Sequence, residues 1–162
     1  MNFLQSVPGT DPLVVEGLFN APIEQVYRAW TDPEELVQWF GRHPNGLAAA
    51  EIDLRIGGRY RFSFPPADGA TAAFEGEYFA VEPNAGLGFS WSHVREFADG
   101  RREVTPTSRV TVRFEPAGKA TRIHLRHEGI SSQDARLGVG QGWSESLARL
   151  QAFIAEKEGA RS

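Results

Sequence analysis

Over the middle of this chain the apolar side chains recur at every second position, strand after strand, until a final segment switches to helical spacing. Tyr60, Phe62 and Phe64 alternate with Arg59, Arg61 and Ser63, and Leu87, Phe89, Trp91 and His93 share one parity. Val110, Val112 and Phe114 alternate with Arg109, Thr111, Arg113 and Glu115; Ile123, Leu125 and His127 alternate with Arg122, His124, Arg126 and Glu128. Side chains at period two point to opposite faces, so each run is a strand with one buried and one solvated side. Short links between the later runs imply an antiparallel meander. A sheet with one apolar face needs a cover, and the segment after Ser131-Ser132, running to about Glu156, supplies it. Its inward stripe is Gly140, Trp143, Leu147, Leu150 and Ile154, flanked by Val139, Ser146 and Phe153.

The remaining elements read less sharply. Leu13 to Phe19 is a strand. Asn20 is an N-cap with Pro22 in the first turn of a helix whose Ile23, Val26, Tyr27 and Trp30 form an apolar stripe. Thr31-Asp32-Pro33 closes that helix and caps a second short one carrying Leu36, Trp39 and Phe40. Residues 41–46 are a loop. Ala49 to Leu54 is a strand, and Ile56-Gly57-Gly58 is a turn that wants positive φ. Phe74 to Val81 is apolar on both parities, which calls for a bulge or two-sided burial. Residues 97–102 are a loop. The order is one strand, two helices, six strands and one long helix, an α+β class without internal repeats. Residues 1–12 read as a flexible arm, 13–157 as one domain and 158–162 as a tail.

Composition removes several function classes. With no cysteine there is no disulfide framework, thiolate metal site or thiol nucleophile. No stretch approaches 18 apolar residues, and Met1-Asn2-Phe3-Leu4-Gln5 lacks the basic start and apolar run of a signal peptide, so a cytoplasmic protein with no membrane partner is expected. Seventeen Lys plus Arg, all but Lys119 and Lys157 being Arg, stand against twenty-one Asp plus Glu, and this scattered charge argues against nucleic acid. There is no Gly-x-Ser-x-Gly elbow, and Gly142-Trp143-Ser144 does not follow a strand. Neither a Gly-x-Gly-x-x-Gly turn nor a Walker sequence appears, and no cofactor is implied. His124 and His127, three apart on a strand, face opposite ways and cannot chelate one metal; His43 falls in a loop.

Some residues carry two readings. Gly138, Gly140 and Gly142 alternate inside the last helical region, where each glycine costs about 1 kcal/mol relative to alanine. Either they leave room above the sheet for a ligand, or the helix begins near Gln141. The aromatic set Trp39, Phe40, Tyr60, Phe62, Phe64, Phe74, Phe89, Trp91 and Trp143 is core, or the wall of an apolar pocket with polar anchors. His93 and His127, on the inward parity, either orient a ligand or act as a base, or satisfy backbone groups at strand ends. Asp53 and Arg55, on one face of their strand, either form an ion pair that supports the Gly57-Gly58 turn or take part in catalysis. Outward Arg59, Arg61, Arg109, Arg113, Arg122 and Arg126 pair across strands with Glu75, Glu77, Glu115 and Glu128, or offer a surface to a partner.

Phe19-x-Ala21-Pro22-x-Glu24-x-Val26-Tyr27-x-Ala29-Trp30-Thr31-Asp32-Pro33, followed by Trp39-Phe40, resembles the opening of the SRPBCC (START-like) superfamily. The branch it is most similar to is named after the activator of heat-shock protein 90 ATPase. Asp53-Leu54-Arg55-Ile56-Gly57-Gly58, Gly76-Glu77-Tyr78, Phe89-Ser90-Trp91, Thr121-Arg122-Ile123 and Gly142-Trp143 continue the resemblance, over about residues 13–155. It implies a helix-grip (START/Bet v1-like) fold: a curved antiparallel sheet wrapped around the long C-terminal helix, with a cavity between. Members bind hydrophobic molecules, cyclise polyketides or assist a chaperone. Three functions are therefore expected as alternatives. The first is non-enzymatic binding of a hydrophobic or aromatic small molecule by Trp39, Phe62, Phe64, Phe74, Phe89, Trp91, His93, His127, Trp143 and Leu147. The second is a co-chaperone of the stress response that touches a heat-shock chaperone through its charged outer face; a second copy of the chain, as a homodimer, is the other expected partner. The third is a polyketide cyclase/aromatase-like enzyme with His93 or His127 as base.

Overall fold

A computed structural model describes residues 4–5, 11–40 and 47–161. In chain order the elements are β1 (Leu4–Gln5), β2 (Leu13–Phe19), α1 (Ile23–Thr31), α2 (Pro33–Trp39), β3 (Ala49–Ile52), β4 (Arg59–Ser63) and β5 (Ala70–Glu82). There follow β6 (Gly86–Phe97), β7 (Arg102–Val104), β8 (Ser108–Ala117), β9 (Ala120–Glu128) and α3 (Gln133–Arg161). The strands form one antiparallel sheet in the order β1-β2-β9-β8-β6-β5-β4-β3, with β7 pairing beside β8 on β6. The sheet curves around α3, the expected helix-grip architecture.

Alternation sets the buried face. Along β9 Ile123, Leu125 and His127 are buried, and along β8 Val110, Val112 and Phe114 are buried against them. The bulge expected in β5 falls where the register shifts between Tyr78 and Ala80; it turns the Phe79 ring outward, beneath the Arg109 guanidinium at 4.4 Å. Gly57 takes φ +85° in the turn before β4, and Arg55 Nε donates to Asp53 Oδ2 at 2.9 Å beside it. On the outer face of the sheet Arg61 pairs with Glu75 and, at 2.8 Å, with Glu96, while Arg102 reaches Glu75 at 2.8 Å. The cross-strand charges are thus matched within the sheet itself in this region.

Five details differ from the sequence reading. Helix α1 starts after Pro22, which is its N-cap and gives no side-chain bond, so Asn20 does not cap it; Asp32 does cap α2, accepting from the Glu34 N–H at 3.0 Å. The strand expected to run to Leu54 ends at Ile52. Seven strands, not six, lie between α2 and α3, because the exposed β7 carries no apolar alternation to reveal it. Leu4–Gln5 pairs with β2, while the rest of the arm expected before Asp11, and the loop with His43, lie outside the described residues. Helix α3 continues to Arg161, through most of the expected tail.

The long helix has two unlike halves. Trp143, Leu147, Leu150 and Ile154 are buried in the common core, together with Val26 and Trp30 of α1 and Leu36 and Trp39 of α2. Before Trp143 the helix presents Ala135, Gly138 and Gly142 to a space over the sheet. All three glycines are helical, so the alternative of a helix beginning near Gln141 does not hold.

Candidate functional site

The space is a cavity of about 410 Å³ between the first half of α3 and the part of the sheet where β6 changes partner. Gly86–Trp91 of β6 pairs with β8 and Val94–Glu96 pairs with β7. Between them the connecting segment is held by one backbone bond and two through side chains: the Thr105 N–H donates to the His93 carbonyl at 3.0 Å, the His93 N–H donates to Thr105 Oγ1 at 2.8 Å, and Ser92 Oγ lies 3.2 Å from Thr107 Oγ1. That break in the ladder lets Thr105, Pro106 and Ser108 line the cavity from below. Phe40, Phe64, Phe74, Trp91 and His93 make one wall. Ile130, Ser131, Ala135, Gly138, Val139, Gly142, Trp143 and Ser146 make the other. A Cβ built on Gly138 would meet nothing within 4 Å.

Rings dominate the interior wall. Trp91 stacks on Phe74 at 4.1 Å and lies 5.3 Å from Trp143; Phe40 meets Trp143 edge-on at 5.7 Å. No Asp, Glu, Lys or Arg lines the cavity among the described residues. Such a lining is typical of a small-molecule site, which spans about 300–1,000 Å³ and is apolar with few polar groups.

Of the ten residues expected to touch a ligand, Phe64, Phe74, Trp91, His93 and Trp143 line this cavity. Trp39 is fully buried beneath Trp30, its indole N–H donating to the Ala29 carbonyl at 2.8 Å. Phe62 and Phe89 face the closed end of the core with Leu36 and Leu87, and Leu147, one turn after Trp143, is buried in the common core. Parity along a strand assigns a side chain to a face, not to a place along that face. His127 also stands behind the wall rather than in it.

The burial of His127 is resolved by a directed chain of hydrogen bonds. The indole N–H of Trp143 donates to His127 Nδ1 at 3.0 Å, and His127 Nε2 lies 2.7 Å from Ser108 Oγ. An indole nitrogen can only donate, so Nδ1 carries no proton, and the neutral ring must be protonated at Nε2. Nε2–H therefore donates to Ser108 Oγ. Burial holds the His127 pKa down at about 4, with the Asp11 charge opposing it weakly. This order rules out Ser108 as a nucleophile activated by His127, because a base must accept the hydroxyl proton on the nitrogen that here already carries one. Ser108 was missed by the sequence reading although it opens β8 on the buried parity of Val110, Val112 and Phe114, and only the fold brings it to His127, nineteen residues on.

His93 is half-buried at the cavity wall, its ring edge-on to Phe74 at 5.4 Å. Its pKa is lowered, by burial first and then by the charge of Arg95, so it is neutral at pH 7. His124 takes the opposite face from His127, as the spacing requires, between Glu16 at 2.7 Å and Glu115 at 3.2 Å. No group of three His, Cys, Asp or Glu is placed to hold a metal ion among the described residues.

The family model for activator of Hsp90 ATPase homolog 1-like proteins matches residues 20–155. The chain belongs to this family. Among solved structures this Hsp90-activator-like chain is similar to CalU16 from Micromonospora echinospora, at 23% identity over 99% of this chain and 90% of that one, with TM-score 0.67. It is similar to CV1439 from Chromobacterium violaceum at 27% identity, covering 90% of this chain and 98% of that one, TM-score 0.68. DynU16, from the dynemicin biosynthetic locus, aligns at 24% identity over 90% of this chain but 48% of its own length, TM-score 0.70. No curated protein matches. As in the helix-grip fold generally, this family member holds its cavity between sheet and long helix. Among the described residues no helix is long and apolar enough to cross a membrane.

Proposed function

We propose that the protein binds a hydrophobic or aromatic small molecule in the cavity between α3 and the sheet, without transforming it. The observation that carries this reading is the cavity itself: about 410 Å³, walled by stacked rings, and kept open where α3 substitutes Gly138 and Gly142 for larger side chains. Filling that space with side chains would stabilise the fold, so leaving it empty has a use. The relation to DynU16, which comes from a biosynthetic locus, supports a small-molecule occupant. Hydrogen bonds occupy both ring nitrogens of His127 and take it out of consideration as a base, which leaves His93 as the one imidazole of the two that stands at the cavity.

A thermal-shift and tryptophan-fluorescence screen of flavonoids, aromatic ketones, sterols and fatty acids tests it. Saturable binding lost in Gly138→Leu, which fills the cavity from the helix side, is the expected result. A folded protein that binds none of these classes overturns the reading.

A further inference from the structure

Of the polar residues that line the cavity (His93, Thr105, Ser108, Ser131 and Ser146), Ser108 carries a hydroxyl with its proton to spare. His127 Nε2–H occupies one lone pair of Ser108 Oγ at 2.7 Å, so Ser108 must place its own hydrogen elsewhere. The acceptor it finds is the Trp91 carbonyl at 3.4 Å, well beyond the usual 2.7–2.8 Å of a hydroxyl–oxygen bond. A ligand oxygen at normal distance replaces a poor acceptor with a good one. The donor is also pre-aimed: Trp143, His127 and Ser108 are all buried, and each bond in the chain fixes the direction of the next.

Charge narrows the ligand further. With no Asp, Glu, Lys or Arg among the described lining residues, an ionised group brought into the cavity would give up its hydration for no counter-charge. The walls beside Ser108 are ring faces and edges, with Trp91 and Phe74 4.1 Å apart and Trp91 and Trp143 5.3 Å apart, which suit a flat aromatic body. We infer that Ser108 is the specificity-determining anchor of the cavity, and that the ligand is a neutral aromatic compound whose carbonyl oxygen accepts from it. This rests on the cavity being the binding site.

Three tricyclic probes separate the terms: 9-fluorenone, fluorene, and fluorene-9-carboxylate. They share one ring frame and differ in carrying a carbonyl acceptor, no acceptor, or a charge. The expected order of affinity, by calorimetric titration at pH 7, is fluorenone tightest by about tenfold over fluorene, with the carboxylate weakest. Ser108→Ala should bring fluorenone down to the level of fluorene and leave fluorene unchanged. Because that variant strands the His127 N–H, its fold is checked by circular dichroism, and the comparison of probes on the unaltered protein decides the matter without it. If fluorenone and fluorene bind alike, or the carboxylate binds tightest, and Gly138→Leu abolishes that binding, the anchor is wrong while the cavity stands. If none of the three binds while the wider screen finds a ligand that Gly138→Leu excludes, the anchor is wrong and the cavity stands; if that screen is also empty, both are wrong.

Discussion

Trp143 and His127 are joined by an indole N–H to imidazole Nδ1 bond of 3.0 Å, and that single contact decides where the imidazole keeps its proton. It also ties α3 to β9, the last strand in chain order, behind the cavity wall. Replacing Trp143 by Phe keeps most of the ring volume and removes the donor. His127 Nδ1 is then a buried acceptor without a partner, which costs about 1–3 kcal/mol. The expected outcome is a corresponding loss in urea-unfolding free energy. In the unaltered protein, imidazole nitrogen chemical shifts should show protonated Nε2 and bare Nδ1; in Trp143→Phe the preference for that tautomer should weaken.

The same burial makes stability depend on pH. His127 titrates near 4 in the folded chain and near 6.5 when unfolded, so between those values only the unfolded chain takes up the proton. The contribution is fully present above pH 6.5 and is lost progressively down to pH 4, about 3 kcal/mol in all. His93, also lowered, acts in the same direction. His127→Gln retains one acceptor and one donor but cannot titrate. Unfolding free energies measured at pH 7 and pH 4.5 should differ by less in this variant than in the parent.

Gly138 sits inside a helix with open space where its Cβ would be. Gly138→Ala should raise stability by about 1 kcal/mol, because alanine loses less backbone freedom and meets no neighbour. Gly138→Leu should keep the fold and obstruct the cavity. Thermal melts of both variants, with and without a bound aromatic ketone, separate the two effects: a higher melting temperature for the alanine variant, and no ligand shift for the leucine one.

Gly76 is the opposite case. Its Cβ would fall within 2.7 Å of both the Ser90 carbonyl and the Tyr60 ring, whose hydroxyl itself bonds the Ser90 carbonyl at 2.5 Å. The Tyr60 ring lies over the bare backbone of Gly76, its partner in the neighbouring strand. Gly76→Ala must push strands β4, β5 and β6 apart and should cost about 3 kcal/mol or more in unfolding free energy. A variant within 0.5 kcal/mol of the parent, on the scale of about 0.5 kcal/mol for neutral surface changes, would contradict this packing.

The architecture was largely legible because one-sided burial writes itself into sequence as alternation. The runs around Tyr60, Val110 and Ile123 became β4, β8 and β9, and the helical stripe at Trp143 became α3. Strand β7 left no such mark, since Arg102, Glu103 and Val104 are all exposed. The site was half legible for a related reason. Alternation told that Phe62 and Phe64 share a face, but Phe62 packs against the closed end and Phe64 opens on the cavity. Depth along a strand depends on which element lies above it, and that is set by α2 and α3. Ser108 and His127 are joined only by register, where Val110 pairs with His127 across β8 and β9.

Helix α3 is anchored by its second half and glycine-rich in its first. Glycine at 138, 140 and 142 lowers the intrinsic stability of that stretch by about 3 kcal/mol relative to alanine. The turns that roof the cavity are accordingly the part of the helix that costs least to melt locally, and their amides should exchange with solvent faster than those around Leu147 and Leu150. If the cavity takes the ligand proposed above, its entry and exit should follow the breathing of two turns of backbone rather than the opening of the whole domain. Residence time and interior volume would then be coupled through Gly138 and Gly142, the two of these glycines that line the cavity.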